Sequence, residues 1–410
     1  NGADAVYLGG KMFNARQHAG NFDTEQLKCA LKYAHIRGVK VYLTMNTLLA
    51  DEELREAVDF TENAYLMGID GVIVQDLGFA GMLRRLYPDL DLHASTQMTI
   101  YNLEGVKALE QFGFKRVVLA RELPLDEISH ITKNCAVDIE IFVHGALCVS
   151  YSGQCLMSSI IGGRSGNRGK CAQPCRLPYE LIEREDSSKP GEGGNLVKCR
   201  GKYLLSPKDL CSVELLNSVL KTGVKSLKIE GRMKTPEYVA TVVRIYRKYI
   251  DQIEAAGEFY TGIEDADLKD LAQTFNRGGF SKGYLTGKHG ASMMSYEKPK
   301  NWGIPLGEVI SYDRSRKVLG LKLINELSIG DGVEVWNDED IHPGNIITEI
   351  KVNGKRVSHA DKGNIALIGS INGKIQKGNK VYKTSDKGLN TKARESFSEG
   401  SNNRKVPLKG

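Results

Sequence analysis

The feature that most constrains this chain is an alternation. Over the first half, short apolar runs rich in β-branched residues alternate with segments whose apolar residues recur at helical spacing. That is the pattern of a parallel α/β fold. Strands are predicted at residues 5–8, 39–44, 71–75, 92–95, 117–119, 139–143 and 226–229. Helices are predicted at 24–36, 52–67, 77–86, 103–112, 125–131, 213–221 and 236–253. Pro236 suits a helix's first turn, where a missing N–H costs nothing. Seven strands fall one short of a closed barrel, and the sequence opens at Asn1-Gly2-Ala3-Asp4 with neither Met nor N-cap. The expectation is that a first strand and helix lie outside this sequence, and that residues 1–260 form most of a TIM-like (β/α)8 barrel. A Rossmann-like open sheet is the second reading, weakened because no G-x-G-x-x-G follows a strand.

The texture then changes. Residues 261–298 read as a linker. From 299 to 386, short alternating strands are expected at 307–310, 318–323, 332–335, 346–352, 365–367 and 380–382. Gly330-Asp331-Gly332 and Lys377-Gly378-Asn379 each turn into a strand. This is the signature of a small antiparallel β-barrel accessory domain. Residues 387–410 are polar and without period, and are expected to be a flexible tail.

At 410 residues, 41% hydrophobic and 26% charged, the chain can bury a large core without disulfides. No run approaches the ~18 apolar residues of a membrane span, and no basic start leads into a short apolar region, so no membrane or signal segment is expected and a cytoplasmic setting is. The net charge of +6 permits an anionic partner without demanding one. H-E-x-x-H, G-x-S-x-G and G-x-x-x-x-G-K-[ST] are all absent, which removes the standard zinc protease, the nucleophile elbow and the phosphate loop.

Six of the eight cysteines fall between 148 and 211, inside a departure from the barrel pattern at 144–211. They are Cys148, Cys155, Cys171, Cys175, Cys199 and Cys211. Thiolates gathered this way, with no export signal, point to a soft metal centre. Structural zinc sites show tight C-x2-C knuckles, and none occurs here. An iron–sulfur cluster accepts wider spacings, so spacing favours the cluster. The competing reading is a set of buried, inert thiols. Cys29 and Cys135 read as core thiols.

A second group stands at the ends of the predicted strands. Asn14, Arg16, Asn46, Gln75, His93, Arg121, Glu122, His144, Glu230 and Arg232 would lie at or near one rim, which in a barrel is the active-site face. Any one of them alone is more simply a satisfied polar residue. The pairs Arg121-Glu122 and Glu230-x-Arg232 stand out because arginine forks recognise carboxylate and phosphate. Between 164 and 176, Arg164, Arg168, Lys170 and Arg176 form a cationic run without acids that could track a phosphate backbone. Taken alone, that run reads as a solvated loop.

The segment Glu140-Ile141-Phe142-Val143-His144-Gly145-Ala146-Leu147-Cys148, followed by Gly153-Gln154-Cys155-Leu156-Met157-Ser158, resembles the signature of the collagenase-like peptidase family U32. The likeness continues through Gly169-Lys170-Cys171, Cys175-Arg176, residues 206–211 and Lys228-Ile229-Glu230-Gly231-Arg232. It covers nearly all of residues 1–290. The family name implies a protease. Its better-understood branches imply oxygen-independent hydroxylation with a cysteine-bound [4Fe–4S] cluster, acting on the wobble uridine of tRNA with prephenate as donor, on a cytidine of 23S rRNA, or on the ubiquinone ring. One barrel with one small β-domain looks most like the tRNA branch. The resemblance places the cluster ligands at Cys148, Cys155, Cys171 and Cys211, with Cys175 competing for the fourth place. It also implies that Arg121 and Arg232 bind donor carboxylates, that Glu230 or His144 moves protons, and that the basic run grips RNA. The family's usual opening strand, ending Ala-Pro-Ala-Gly, is absent from the sequence.

Overall fold

The computed structural model describes residues 1–17, 19–184, 194–337 and 342–398. Six parallel strands, β1 (Ala5–Gly9), β2 (Lys40–Met45), β3 (Gly71–Val74), β4 (Leu92–Ala94), β5 (Arg116–Val118) and β6 (Asp138–Gly145), pair in chain order. A seventh, Ser226–Ile229, pairs parallel with β6. Helices α1 (Thr24–His35), α2 (Asp51–Leu66), α3 (Leu77–Leu86), α4 (Leu103–Phe112) and α5 (Leu125–Lys133) connect the first six strands, and Pro236–Ala256 follows the seventh. All seven predicted strands are found, and the order never reverses. A doubly wound sheet needs a switch point, so the Rossmann-like reading falls.

Local chemistry sets the helix boundaries. Asp23 caps α1, taking the Gln26 N–H while the Gln26 side chain accepts from the Asp23 N–H in a reciprocal box. Asp76 and Asn102 cap α3 and α4 in the simpler way, and Gly113 ends α4 in the left-handed conformation. Thr235 caps the helix that Pro236 opens.

Successive strand residues face opposite sides. Val41, Leu43, Met45, Val72, Val74, Leu92, Ala94, Ile139, Ile141 and Val143 belong to the buried core shared with the helices. The alternate set includes buried polar residues. Glu140 (5% exposed) accepts from Lys228 Nζ at 2.7 Å and Ser226 Oγ at 2.7 Å, with Arg116 Nη1 at 3.5 Å. Burial pushes the Glu140 carboxyl up, but Lys228, Ser226 and Arg116 outweigh it and bring it to about 2. This ion cluster ties β5, β6 and the seventh strand together on the concave side.

The sheet does not close by backbone pairing among the described residues. β1 pairs only with β2, and Ser226–Ile229 only with β6. Among the described residues the seven expected strands thus form an open arc of parallel strands, with a gap between the first and the last. A groove of about 820 Å³ runs beside the two free edges, lined by residues 2–7, residues 224–229 and the helix Pro236–Ala256. Asp209–Cys211 pairs antiparallel with the end of β6, and Phe280–Ser281 pairs with it in turn.

The second unit is a curled antiparallel sheet. Its spatial order is Gly344–Ile346, Gly332–Trp336, Lys380–Ser385, Ile304–Asp313, Val318–Leu323, Ile365–Ile368, Ile350–Val352 and Lys355–Val357. Leu306, Val309, Leu319, Leu321, Val333 and Val381 centre its own core. The strand expected at 346–352 is broken, because Ile347 turns into that core between two short strands. Two expectations change. The linker contains a helix, Asp265–Thr274, whose Gln273 donates to the Lys383 carbonyl at 2.9 Å. The expected loose tail begins with a helix, Lys387–Glu395, capped by Asp386 and paired through Arg394 with Glu237 at 2.6 Å. Residues 399–410 of that tail, and 185–193 of the polar stretch in the cysteine segment, lie outside the described residues. No described helix is long and apolar enough to cross a membrane.

Candidate active site at the C-terminal rim of the sheet

Glu230 sits at the centre of the rim. A bulge between Lys228 and Ile229 shifts the register against β6 just before it. Gly145, at φ +116°, lies where a side chain would run into the Glu230 backbone. Tyr7 of β1 donates to the Ile229 carbonyl at 3.1 Å and to Glu230 Oε2 at 3.3 Å. The Arg232 N–H donates to Glu230 Oε1 at 3.3 Å, and the Arg232 side chain reaches Thr44 Oγ1 at 3.4 Å. Burial pushes the Glu230 carboxyl up, but Arg16, Arg232 and Arg121 overcome it and hold it at about 2.

The two residues expected to move protons sit in different settings. The charges of Arg16, Arg232 and Arg121 keep Glu230 ionised, and among the described residues Arg232 alone of the three bonds to it. His144 is buried in an aromatic pocket, 3.4 Å from the Tyr246 hydroxyl and flanked by the rings of Tyr238 and Phe280. Burial and the Lys234 charge lower it to about 3. His93 also lies away from the rim, against Tyr42 with ring centroids 4.5 Å apart, lowered to about 3 by burial and Arg116.

The remaining candidates do reach the rim. Asn46 Oδ1 accepts from the Ala15 N–H at 3.0 Å, and Asn14 Oδ1 accepts from the Arg16 N–H at 2.8 Å, which fixes the Arg16 loop. Gln75 Nε2 donates to the Gln97 carbonyl at 3.4 Å. Glu122 Oε1 accepts from both the N–H and the hydroxyl of Ser152, at 3.1 and 3.2 Å. Five buried atoms along this rim have no hydrogen-bond partner among the described residues: Gln75 Oε1, Gln97 Oε1, Arg121 Nε, Glu122 Oε2 and Arg232 Nε. Buried polar atoms normally find partners. Phe13, Thr99 and Gln173, three non-glycine residues with φ near +60°, sit on the same loops.

The cysteine segment covers this rim. Arg121 Nη1 is 3.9 Å from Cys148 Sγ, and the Gln173 N–H donates to Cys171 Sγ at 3.3 Å. Burial raises the Cys175 thiol; Arg176 opposes that, and Cys148, Cys171 and Cys155 add to it, so these four thiols are electrostatic neighbours. Arg16 likewise feels Glu230, Cys148 and Cys171, so the arginine cluster and the thiols share one region. Cys211 is elsewhere. It is buried on the strand Asp209–Cys211, interacting with Tyr246, and its thiol is raised by burial. Of the two candidates for the fourth place, Cys175 has Cys148, Cys155 and Cys171 as neighbours, whereas Cys211 has Tyr246, Lys282 and Glu214. Cys29, expected in the core, is exposed on α1. Among the described residues, no three His, Cys, Asp or Glu side chains converge as the ligands of a single metal ion.

The basic run divides. Arg168 pairs with Glu53, donating at 2.7 Å, and Arg176 donates to Ser206 Oγ at 2.7 Å and the Leu147 carbonyl at 2.9 Å. Arg168 thereby ties the segment to helix α2, and Arg176 ties two parts of the segment to each other. Lys170 is exposed, and Arg164, also exposed, donates to the Lys170 carbonyl at 3.1 Å. The sequence reading missed Lys234. Burial lowers its amine to about 7, with Asp209 Oδ2 at 3.7 Å and the Glu230 charge within range. Only its position two residues after Arg232 could have flagged it.

The family model for peptidase family U32 matches residues 1–295. A 23S rRNA 5-hydroxycytidine C2501 synthase of Escherichia coli is 39% identical over 82% of this chain, which spans 49% of that protein's length. An uncharacterized protease of Methanocaldococcus jannaschii is 36% identical over 93% of both chains. A tRNA hydroxylation protein P1 of Bacillus subtilis is 34% identical over 82% of this chain and 79% of its own. With the model match and these identities running across the same sheet, rim and cysteine segment, the chain belongs to peptidase family U32.

Proposed function

We propose that this protein hydroxylates a pyrimidine of RNA, with an iron–sulfur cluster on the cysteine segment and a small carboxylate as co-substrate. The observation that supports this best is the meeting of four thiols with three arginines around one ionised glutamate. The seven-stranded arc is read as most of a (β/α)8 barrel, whose chemistry lies at the C-terminal ends of the strands.

What supports the cluster is that Cys148, Cys155 and Cys171 lie among the neighbours of Cys175. Cys148, Cys155, Cys171 and Cys175 would hold it, and Arg121 and the Gln173 N–H already point at two of the sulfurs. In a [4Fe–4S] cluster each thiolate binds a different iron, so the sulfurs stand farther apart than around one zinc ion. The cluster supplies one-electron transfer. Arg16, Arg121 and Arg232 against Glu230 leave two positive charges, which a dicarboxylate such as prephenate neutralises. Glu230 sets one negative charge among the three guanidinium groups. Lys234, at about 7, is the rim group able to exchange a proton near neutrality.

Relatives named for tRNA and for rRNA hydroxylation support RNA as the substrate class. The finer reading is tRNA wobble uridine converted to 5-hydroxyuridine in the cytoplasm. The test is deletion of the gene followed by mass spectrometry of tRNA and rRNA nucleosides. Loss of a hydroxylated pyrimidine from tRNA supports the reading, loss from rRNA alone moves the target, and unchanged nucleosides in a strain without a second family member overturn it. The competing reading is a peptidase, in keeping with the family name and the archaeal relative. Gelatin cleavage by the purified chain, lost in Lys234→Met, would favour it.

A further inference from the structure

Exposed aromatic residues need a reason when they cluster on a polar rim. Tyr151 (56% exposed) and Tyr101 (38% exposed) face each other with ring centroids 6.0 Å apart and planes inclined by 59°. Tyr284 has both phenols and the Glu122 carboxylate among its electrostatic neighbours. Neither exposed ring fills the core, yet both loops are held firmly. Thr99 Oγ1 donates to the Ser152 carbonyl at 2.6 Å, Gln154 Nε2 donates to Thr99 Oγ1 at 2.7 Å, and the Arg121 N–H donates to Ser152 Oγ at 3.2 Å. Gly153, at φ +75°, packs so closely on the Gln97 carbonyl that no side chain fits there. The backbone is fixed while the rings are left in solvent.

Beside them lies Glu122, 6% exposed, with Oε1 occupied by Ser152 and Oε2 unpartnered. A buried carboxylate oxygen accepts from the N–H groups on a base edge. Exposed aromatics on a rigid rim suit single-stranded nucleic acid, whose unstacked bases lie on such rings.

We propose that Tyr101 and Tyr151 form the stacking platform for one base of a single-stranded RNA segment entering the rim, with Glu122 Oε2 accepting a hydrogen bond from that base's edge. This rests on the RNA reading above and adds to it the residues that seat the base. One ring takes the base on its face and the inclined ring closes the side. The arginines stay available for the carboxylate co-substrate.

The experiment uses the full chain and a short labelled oligouridine, alongside the same oligomer carrying an abasic site at each position in turn. Tyr101→Ala and Tyr151→Ala are each expected to weaken binding of the intact oligomer roughly tenfold or more, the loss typical of removing a base-stacking ring. Tyr151→Phe retains the affinity. An abasic site at the seated position gives the same loss and makes the two alanine variants silent. The slope of log affinity against log salt stays unchanged, since no phosphate contact is removed. Glu122→Gln lowers affinity for uridine without changing that slope. Both tyrosines are exposed, and unchanged circular dichroism and melting temperature confirm folding.

Wild-type affinity in the double alanine variant overturns the platform, as does an equal loss on every abasic oligomer. Loss of prephenate binding with RNA binding intact overturns it too, by assigning the rings to the co-substrate. If deletion of the gene abolishes a hydroxylated nucleoside but the double alanine variant restores it fully, the platform falls and the hydroxylation reading stands. If deletion changes no nucleoside while the variants still lose oligouridine, the platform stands and the hydroxylation reading falls.

Discussion

Tyr7 and Glu230 bridge the two free edges of the parallel sheet. The Tyr7 hydroxyl, on the first strand, lies 3.3 Å from Glu230 Oε2, just beyond the last strand, and 3.1 Å from the Ile229 carbonyl. Among the described residues no backbone ladder joins those edges, and a side chain supplies the contact. Tyr7→Phe should cost ~1–3 kcal/mol, the range for losing a hydrogen bond to a buried charged group. Glu230→Gln should cost more, ~3–5 kcal/mol, because three arginines lose the carboxylate that compensates them. Urea denaturation checks the order. A Glu230→Gln protein as stable as Tyr7→Phe would show that the arginines do not depend on that charge.

The thiol group makes a sharper prediction. Cys148, Cys155, Cys171 and Cys175 are grouped, while Cys211 is buried near Tyr246. Each serine substitution among the four should abolish iron content and broad visible absorption in anaerobically purified protein, whereas Cys211→Ser should keep both. Iron loss in Cys211→Ser with retention in Cys175→Ser would reverse the assignment.

These outcomes bear on what a sequence reveals. The strands were legible because period and β-branched content agree in each run, and the seven predicted runs overlap the seven observed strands. Rim positions at strand ends followed from the same pattern. Side-chain direction did not. His144 follows an apolar run like any rim residue, but the bulge opposite it and the long helix behind it turn its ring into an aromatic pocket. Charge role was hidden as well. Arg168 and Arg176 look alike in a cationic run, and only partners distant in sequence, Glu53 and Ser206, show that they act as staples. The helix Lys387–Glu395 was missed because its stability comes from a cap and an ion pair, with Ala393 its one buried residue, rather than from an apolar stripe.

Acid should weaken the concave core before it reaches the helices. Glu140 is ordinarily near 4.5 and is held at about 2 by Lys228, Ser226 and Arg116 against the opposing effect of burial. Its folded value is depressed, so its contribution is complete above pH 4.5 and disappears as pH falls toward 2. The depression corresponds to ~3 kcal/mol. Glu140→Gln should flatten the fall in stability between pH 5 and 2 (roughly the window those two values bracket) while lowering stability at neutral pH, because Lys228 is then buried without its counter-charge. An unchanged acid limb in denaturant titrations at each pH would place the sensitivity elsewhere.

Lys234 should give the reaction its pH dependence. Its amine is buried between the Asp209 carboxylate, at 3.7 Å, and the Phe275 ring, and burial lowers it to about 7. Asp209 pulls the value back up, while Arg277 and Arg176 push it further down. Below about 7 the amine is charged and has no proton to accept; above it the neutral amine can take one. A rate that uses Lys234 as base therefore rises through pH 7 and levels off above it. Lys234→Met removes that limb and lowers the rate by ~10²–10⁴-fold, with Kd for the carboxylate co-substrate little changed, since the three arginines bind it. Lys234→Arg keeps the charge at all accessible pH values and so loses the rate without restoring the limb. If Lys234→Met instead keeps the limb and weakens only co-substrate binding, the amine is one more cation at the rim, and the proton passes through another group.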